Sequence, residues 1–114
     1  MDRLAQYRQT VIEILTEFSN VSKGSTSKEE MEEQLILDTQ RDHYQILTIG
    51  WNGIKRVYYP VFHIDIKNNK IWVQEDATDF DFVGELEKRG IPKSDIVLAF
   101  HSPFKRPLTD YAVA

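Results

Sequence analysis

A chain of 114 residues with 41% apolar and 28% charged side chains is sized for one domain, residues 1–114, with its own core, and its composition is that of a folded protein. The absence of cysteine excludes a disulfide scaffold, thiolate metal sites and cysteine nucleophiles, and suits a reducing cytoplasm. A net charge of −4 argues against a dedicated nucleic-acid binder; no apolar run approaches a membrane span and MDRLAQYRQT has no signal-peptide core, so the expected location is cytoplasmic with no membrane partner.

Asp2 is placed to cap a helix over 2–18, because Leu4, Tyr7, Val11, Ile12, Leu15 and Phe18 recur on one face and Gln6, Gln9, Glu13 and Glu17 on the other. SNVSKGSTSKEE (19–30) breaks that period and reads as a loop. Three turns then organise four strands. TQRDH (39–43) joins QLILDT to HYQILTIGW, Asn52-Gly53 suits a type I′ hairpin, and KNNK (67–70) suits a second tight turn. Centring the hairpin on Asn52-Gly53 sets Trp51 opposite Ile54 and Leu47 opposite Tyr58. The Asn68-Asn69 turn sets Ile66 opposite Ile71 and Ile64 opposite Val73.

Alternation along the strands sorts these residues onto two faces. One face, expected to be the core, collects Leu35, Leu37, Leu47, Ile49, Trp51, Phe62, Ile64, Ile66, Ile71 and Val73. The other collects Tyr44, Ile46, Val57, Tyr59, Val61, His63, Asp65, Trp72 and Gln74. A bulge at Pro60, which lacks an amide donor, would exchange the two sets beyond it. Thr78 and Asp81 have capping-box spacing before a second helix near 80–89, stopped by Gly90 and Pro92, and IVLAF (96–100) is a short buried element. The expected fold is α+β: a two-layer domain of a four-stranded antiparallel meander with both helices on the core face.

Chemistry is thinly represented. The register puts His43 and His63 on opposite faces, so no metal ligand set is assigned, and Asp42 is expected across from His63. Ser102 beside His101 is a sequence neighbour without an oxyanion turn, and no Gly-rich phosphate loop precedes a helix. No catalytic residue, cofactor or metal is assigned, and the chain reads as a non-enzyme. Asp65, Glu75 and Lys67 make a nuclease-like set that almost any acidic sheet would offer. Charge is uneven, with 4 basic and 8 acidic residues in 1–40 against 5 and 3 in 41–75. Arg41, Lys67, Lys70, Lys105 and Arg106 could therefore gather at one end of the sheet as a nucleic-acid contact, the alternative being solvated turn cations.

Four stretches carry a resemblance to a known family: MDRLAQYRQTVIEILTEF (1–18), QLILDTQRDHYQILTIGWNGIKRVY (34–58), HIDIKNNKIWVQ (63–74) and GIPKSDIVLAFHSPFKRPLTDYAVA (90–114). In this order they resemble the XisI family, the fdxN-element excision controlling factors of cyanobacteria. The resemblance implies a role in regulated DNA excision beside a separate recombinase and an XisH-like companion protein, and it implies no catalytic residues; the expected partner is that companion or a second copy of the chain, with DNA met only indirectly. HSPFKRP (101–107) belongs to the matching C-terminal block. It is expected to be an ordered tail anchored by Phe104, with Lys105 and Arg106 in water. Tyr44, Tyr59, His63 and Trp72 are expected to form an exposed aromatic surface that makes the chain a homodimer.

Overall fold

The structure, a computed structural model, describes residues 2–22 and 30–114. Two helices lie against a five-stranded sheet: α1 (Arg3–Ser22), β1 (Met31–Asp38), β2 (His43–Asn52), β3 (Lys55–Lys67), β4 (Lys70–Asp76), α2 (Phe82–Lys88) and β5 (Ile96–Leu98). The sheet order is β1-β2-β3-β4-β5, antiparallel except for the last pair, which is parallel. The fold is thus α+β as expected, with a fifth strand that the four-stranded meander omitted. Ile96, Val97 and Leu98 are all buried; a three-residue strand that is apolar throughout shows no alternation by which to recognise it.

Asp2 accepts the Ala5 amide at 2.9 Å and starts α1 where expected. The helix runs to Ser22, about a turn beyond Phe18, and Ser19 in that added turn is buried. The rest of the expected loop, 23–29, lies outside the described residues. Asp81, rather than Thr78, caps α2 by accepting the Gly84 amide at 2.9 Å. Gly90, with φ of 93°, ends it by donating to Glu87 while Ile91 donates to Leu86.

Asn68 and Asn69 both take left-handed φ, 54° and 63°, so the second turn has the expected register. The first hairpin does not. Gly53 has φ of 65°, Asn52 and Lys55 pair, and the two turn residues are Gly53 and Ile54. Glycine at the first central position is the type II′ requirement, and it moves Leu47 from Tyr58 to Pro60 and Trp51 from Ile54 to Arg56.

The decisive irregularity follows Pro60. Leu47 pairs with Pro60 but Ile46 pairs with Phe62, so Val61 is an extra residue whose carbonyl is taken by the Ala77 amide at 2.9 Å. Proline contributes no ladder donor, and the strand absorbs the inserted residue there. The exchange of faces follows. Tyr44 and Ile46 join Phe62, Ile64, Ile66, Ile71 and Val73 under α1 and α2, together with Tyr7, Val11, Ile14, Leu15, Phe82 and Leu86. Phe62 stands at the centre, its ring 4.9 Å from Phe18 and 5.6 Å from Phe82. Leu47, Ile49 and Trp51, expected in the core, point to the opposite face with Tyr58 and Pro60.

Candidate functional site: the outer face of the sheet

Past the bulge, β2 and β3 continue as an arm to the Gly53-Ile54 turn. Its outer side carries Leu47, Ile49 and Trp51 from β2 beside Pro60, Tyr58 and Arg56 from β3, matched pair by pair across the hairpin. Trp51 is 48% exposed and Tyr58 64%, and Ile54 at the tip is fully exposed. The Arg56 guanidinium lies over the Trp51 ring, 5.3 Å from its centre, a cation–π contact. On β1, Glu32 and Gln34 stand opposite Ile49 and Leu47. The result is an apolar strip bordered by an acid on one strand and a base on another.

The four residues expected to form one aromatic surface are divided. Tyr44 is fully buried under the helices, where its hydroxyl donates to Asp42 Oδ1 at 2.8 Å. Burial first, and this bond second, push its ionisation far up. Tyr59, 45% exposed, pairs with Thr48 and also lies on the helix side. His63 and Trp72 remain on the outer face, but Trp72 is only 7% exposed because the C-terminal segment packs over it. Its indole N–H donates to the Lys67 carbonyl, and the Lys67 ammonium and Arg106 guanidinium lie 4.0 and 5.6 Å from its ring centre.

The tail is ordered as expected, yet by other residues. Arg106 is half-buried and donates to the carbonyls of Ala99, His101 and Val113, while Ala112 donates to Ile96 and bridges to Val97. Phe104, the expected anchor, is 91% exposed. Of the expected basic cluster, Lys67 and Lys70 pair across their turn and Lys67 and Arg106 meet over Trp72. Arg41 is held by Asp38 at 3.7 Å, and Lys105 is exposed. Two of the five cations are therefore spent on the indole, and Arg106 also on carbonyls.

The bulge corrects the histidines as well. His43 and His63 share the outer face, with ring centres 6.4 Å apart. Asp65 Oδ1 accepts from His43 Nδ1 at 2.8 Å and from His63 Nε2 at 2.9 Å, and Gln74 Nε2 donates to Asp65 Oδ2 at 3.2 Å. Gln74 is itself the extra residue of a second irregularity, between β3 and β4. Asp42, expected across from His63, turns instead toward α1. There Arg8 grips both its oxygens at 2.7 and 3.1 Å, and this guanidinium holds its carboxyl below the usual carboxylate range. His43, His63 and Asp65 are a set of three potential ligands that sequence reasoning missed; the signal available was the proline that places the bulge.

Comparison with known proteins gives a consistent relationship. The family model described as XisI protein matches residues 1–113. A crystal structure of a XisI-like protein from Anabaena variabilis ATCC 29413 is 45% identical with a TM-score of 0.88, over 97% of this chain and 99% of that one. A second, the fdxN element excision controlling factor XisI from Anabaena variabilis ATCC 29413, is 42% identical with a TM-score of 0.88, over 99% and 100%. No curated protein matches. With nearly the whole sequence and the whole fold shared, this chain belongs to the XisI family.

Proposed function

We propose that the chain is a non-catalytic controlling factor for excision of a DNA element, of the kind its 42%-identical relative is named for, and that it acts through protein association. The observation that carries this reading is the strip in which half-buried Leu47 and Ile49 continue into the exposed rings of Trp51 and Tyr58. Aromatic side chains with one polar edge are the commonest interface anchors, and a soluble domain seldom leaves such a strip open. The occupant we assign is a second copy of the chain. The strip carries Glu32 along β1 and Arg56 along β3, so a two-fold contact can set each margin against its opposite charge. The dimer then presents its remaining surfaces to an XisH-like companion, and DNA is met through that assembly.

Co-expression with an XisH-like companion tests the reading. Recovery of both proteins in one complex is expected, with the complex weakened when Trp51→Glu and Tyr58→Glu are combined. Failure of the two to associate at micromolar concentration would refute the companion. A retarded complex of the chain alone with DNA, steeply weakened by salt, would move the role to direct binding.

A further inference from the structure

We propose that His43, His63 and Asp65 form a binding site for a divalent late first-row metal ion, with zinc as the representative. Two imidazole nitrogens and one carboxylate oxygen would be its ligands, and one side stays open to solvent. This inference does not rest on the association reading. Imidazole with carboxylate suits zinc and its neighbours, and three protein ligands with an open position is a recurring zinc arrangement.

The geometry is close to what an ion requires. A tetrahedral zinc with bonds of roughly 2.0–2.2 Å separates its ligands by about 3.3 Å. The Asp65 oxygen lies 2.8 and 2.9 Å from the two nitrogens, and all three donor atoms fall within 4.8 Å of one another. Admitting an ion therefore calls for side-chain rotations that lengthen the two oxygen–nitrogen distances. The two imidazole protons now directed at Asp65 would pass to the other ring nitrogens or to solvent, since a ligating imidazole is neutral.

The supports are rigid. His43 and Asp65 oppose each other across β2–β3, and His63 precedes Asp65 by two residues on the same face. Both strands are interior to the sheet. His63 stands between two β-bulges, one contributing Val61 and the other Gln74. Bulges commonly re-aim a side chain beside a site; here one brings His63 to the face of His43 and the other delivers Gln74. By donating to Oδ2, Gln74 leaves Oδ1 to the ligand position, an outer-sphere arrangement that fixes carboxylate orientation. The field also favours a cation. Glu75 stands opposite His63 without an ion pair among the described residues, while Asp38, opposite His43, is balanced by Arg41, and the Lys67 ammonium is turned onto the Trp72 ring. The His43 and His63 side chains are 51% and 33% exposed, so an ion has direct access.

The sequence makes the test clean, because it has no cysteine and just one other histidine, His101. Calorimetric titration of the untagged chain with zinc near neutral pH should give one ion per chain. His63→Gln should weaken uptake by more than the roughly tenfold to hundredfold expected of an outer-sphere change such as Gln74→Leu. His101→Gln should leave it unchanged. In the wild-type chain, zinc should shift the ring-proton NMR signals of His43 and His63 and leave those of His101 in place, a readout needing no variant to fold. Absence of stoichiometric uptake, uptake insensitive to His63→Gln, or a shift confined to His101 would overturn the proposal and leave a purely hydrogen-bonded trio.

Discussion

The two faces of this sheet are made by the same strands, and their fates diverge at one inserted residue. The helix side is closed: Tyr44, Ile46, Phe62, Ile64 and Val73 are fully buried among α1 and α2 residues. The outer side is closed at one end, where Arg106 and Lys67 lie against the Trp72 ring, and is open at Trp51 and Tyr58. Apolar content alone does not distinguish a core from an interface. Leu47 and Ile49 are as apolar as Ile64, and what separates them is Val61, which shifts the pairing beside Pro60.

The contrast is broken most severely from the closed side. Phe62→Ala should lower unfolding stability by about 3–5 kcal/mol in urea titration, since the ring packs between Phe18 and Phe82. At concentrations low enough for the chain to be monomeric, Trp51→Glu on the open side should change stability by no more than about 0.5 kcal/mol, the usual range for a surface substitution. A large loss from the second change would mean that the arm is part of the core.

Next comes the tie between α1 and the β1–β2 turn. Asp42→Ala strands the buried Tyr44 hydroxyl and frees Arg8, a loss of about 1–3 kcal/mol by the same titration. Asp42 also gives the closed side an acid dependence. Its folded carboxyl ionises below the unfolded value of about 3.9, so its contribution is present above that pH and is lost as pH falls through the depressed folded value. The Asp42→Asn protein should lack that part of the acid loss. At the other extreme, burial together with acceptance by Asp95 and Glu87 raises Tyr7 and Tyr111 to about 12 each. Their contribution is complete below the unfolded value of about 10 and disappears as pH rises through the folded one. Thermal melts across both ranges check the two signs.

A milder loss is expected in the tail. Arg106→Ala removes three carbonyl contacts and one of two cations from the Trp72 ring. Iodide quenching of tryptophan fluorescence should rise while stability falls by about 1 kcal/mol, in the range of a partly buried cation–π contact. Unchanged quenching would show that other tail residues cover the indole.

Much of this was legible because local chemistry decided it. Asp2, Gly90 and the Asn68-Asn69 pair each meet a backbone requirement that few other residues satisfy, and the elements they bound lie where the sequence puts them. The first hairpin was ambiguous because Asn52-Gly53 and Gly53-Ile54 both offer a permitted two-residue turn. The core was half legible. Phe62, Ile64 and Ile66 lie between the bulge and a well-defined turn and Ile71 and Val73 follow that turn, whereas the partners of Leu47 and Tyr44 depend on one uncounted residue. The same residue hid the histidine cluster. Family membership was readable from whole segments, which a bulge does not disturb.

The central claim is that the open strip is a contact between copies of the chain, and sedimentation equilibrium of the full chain addresses it directly. The wild type is predicted to be a dimer at high micromolar concentration, and the Trp51→Glu/Tyr58→Glu protein a folded monomer with the same circular dichroism. A wild type that is monomeric at that concentration, or a dimer that survives both substitutions, would contradict it.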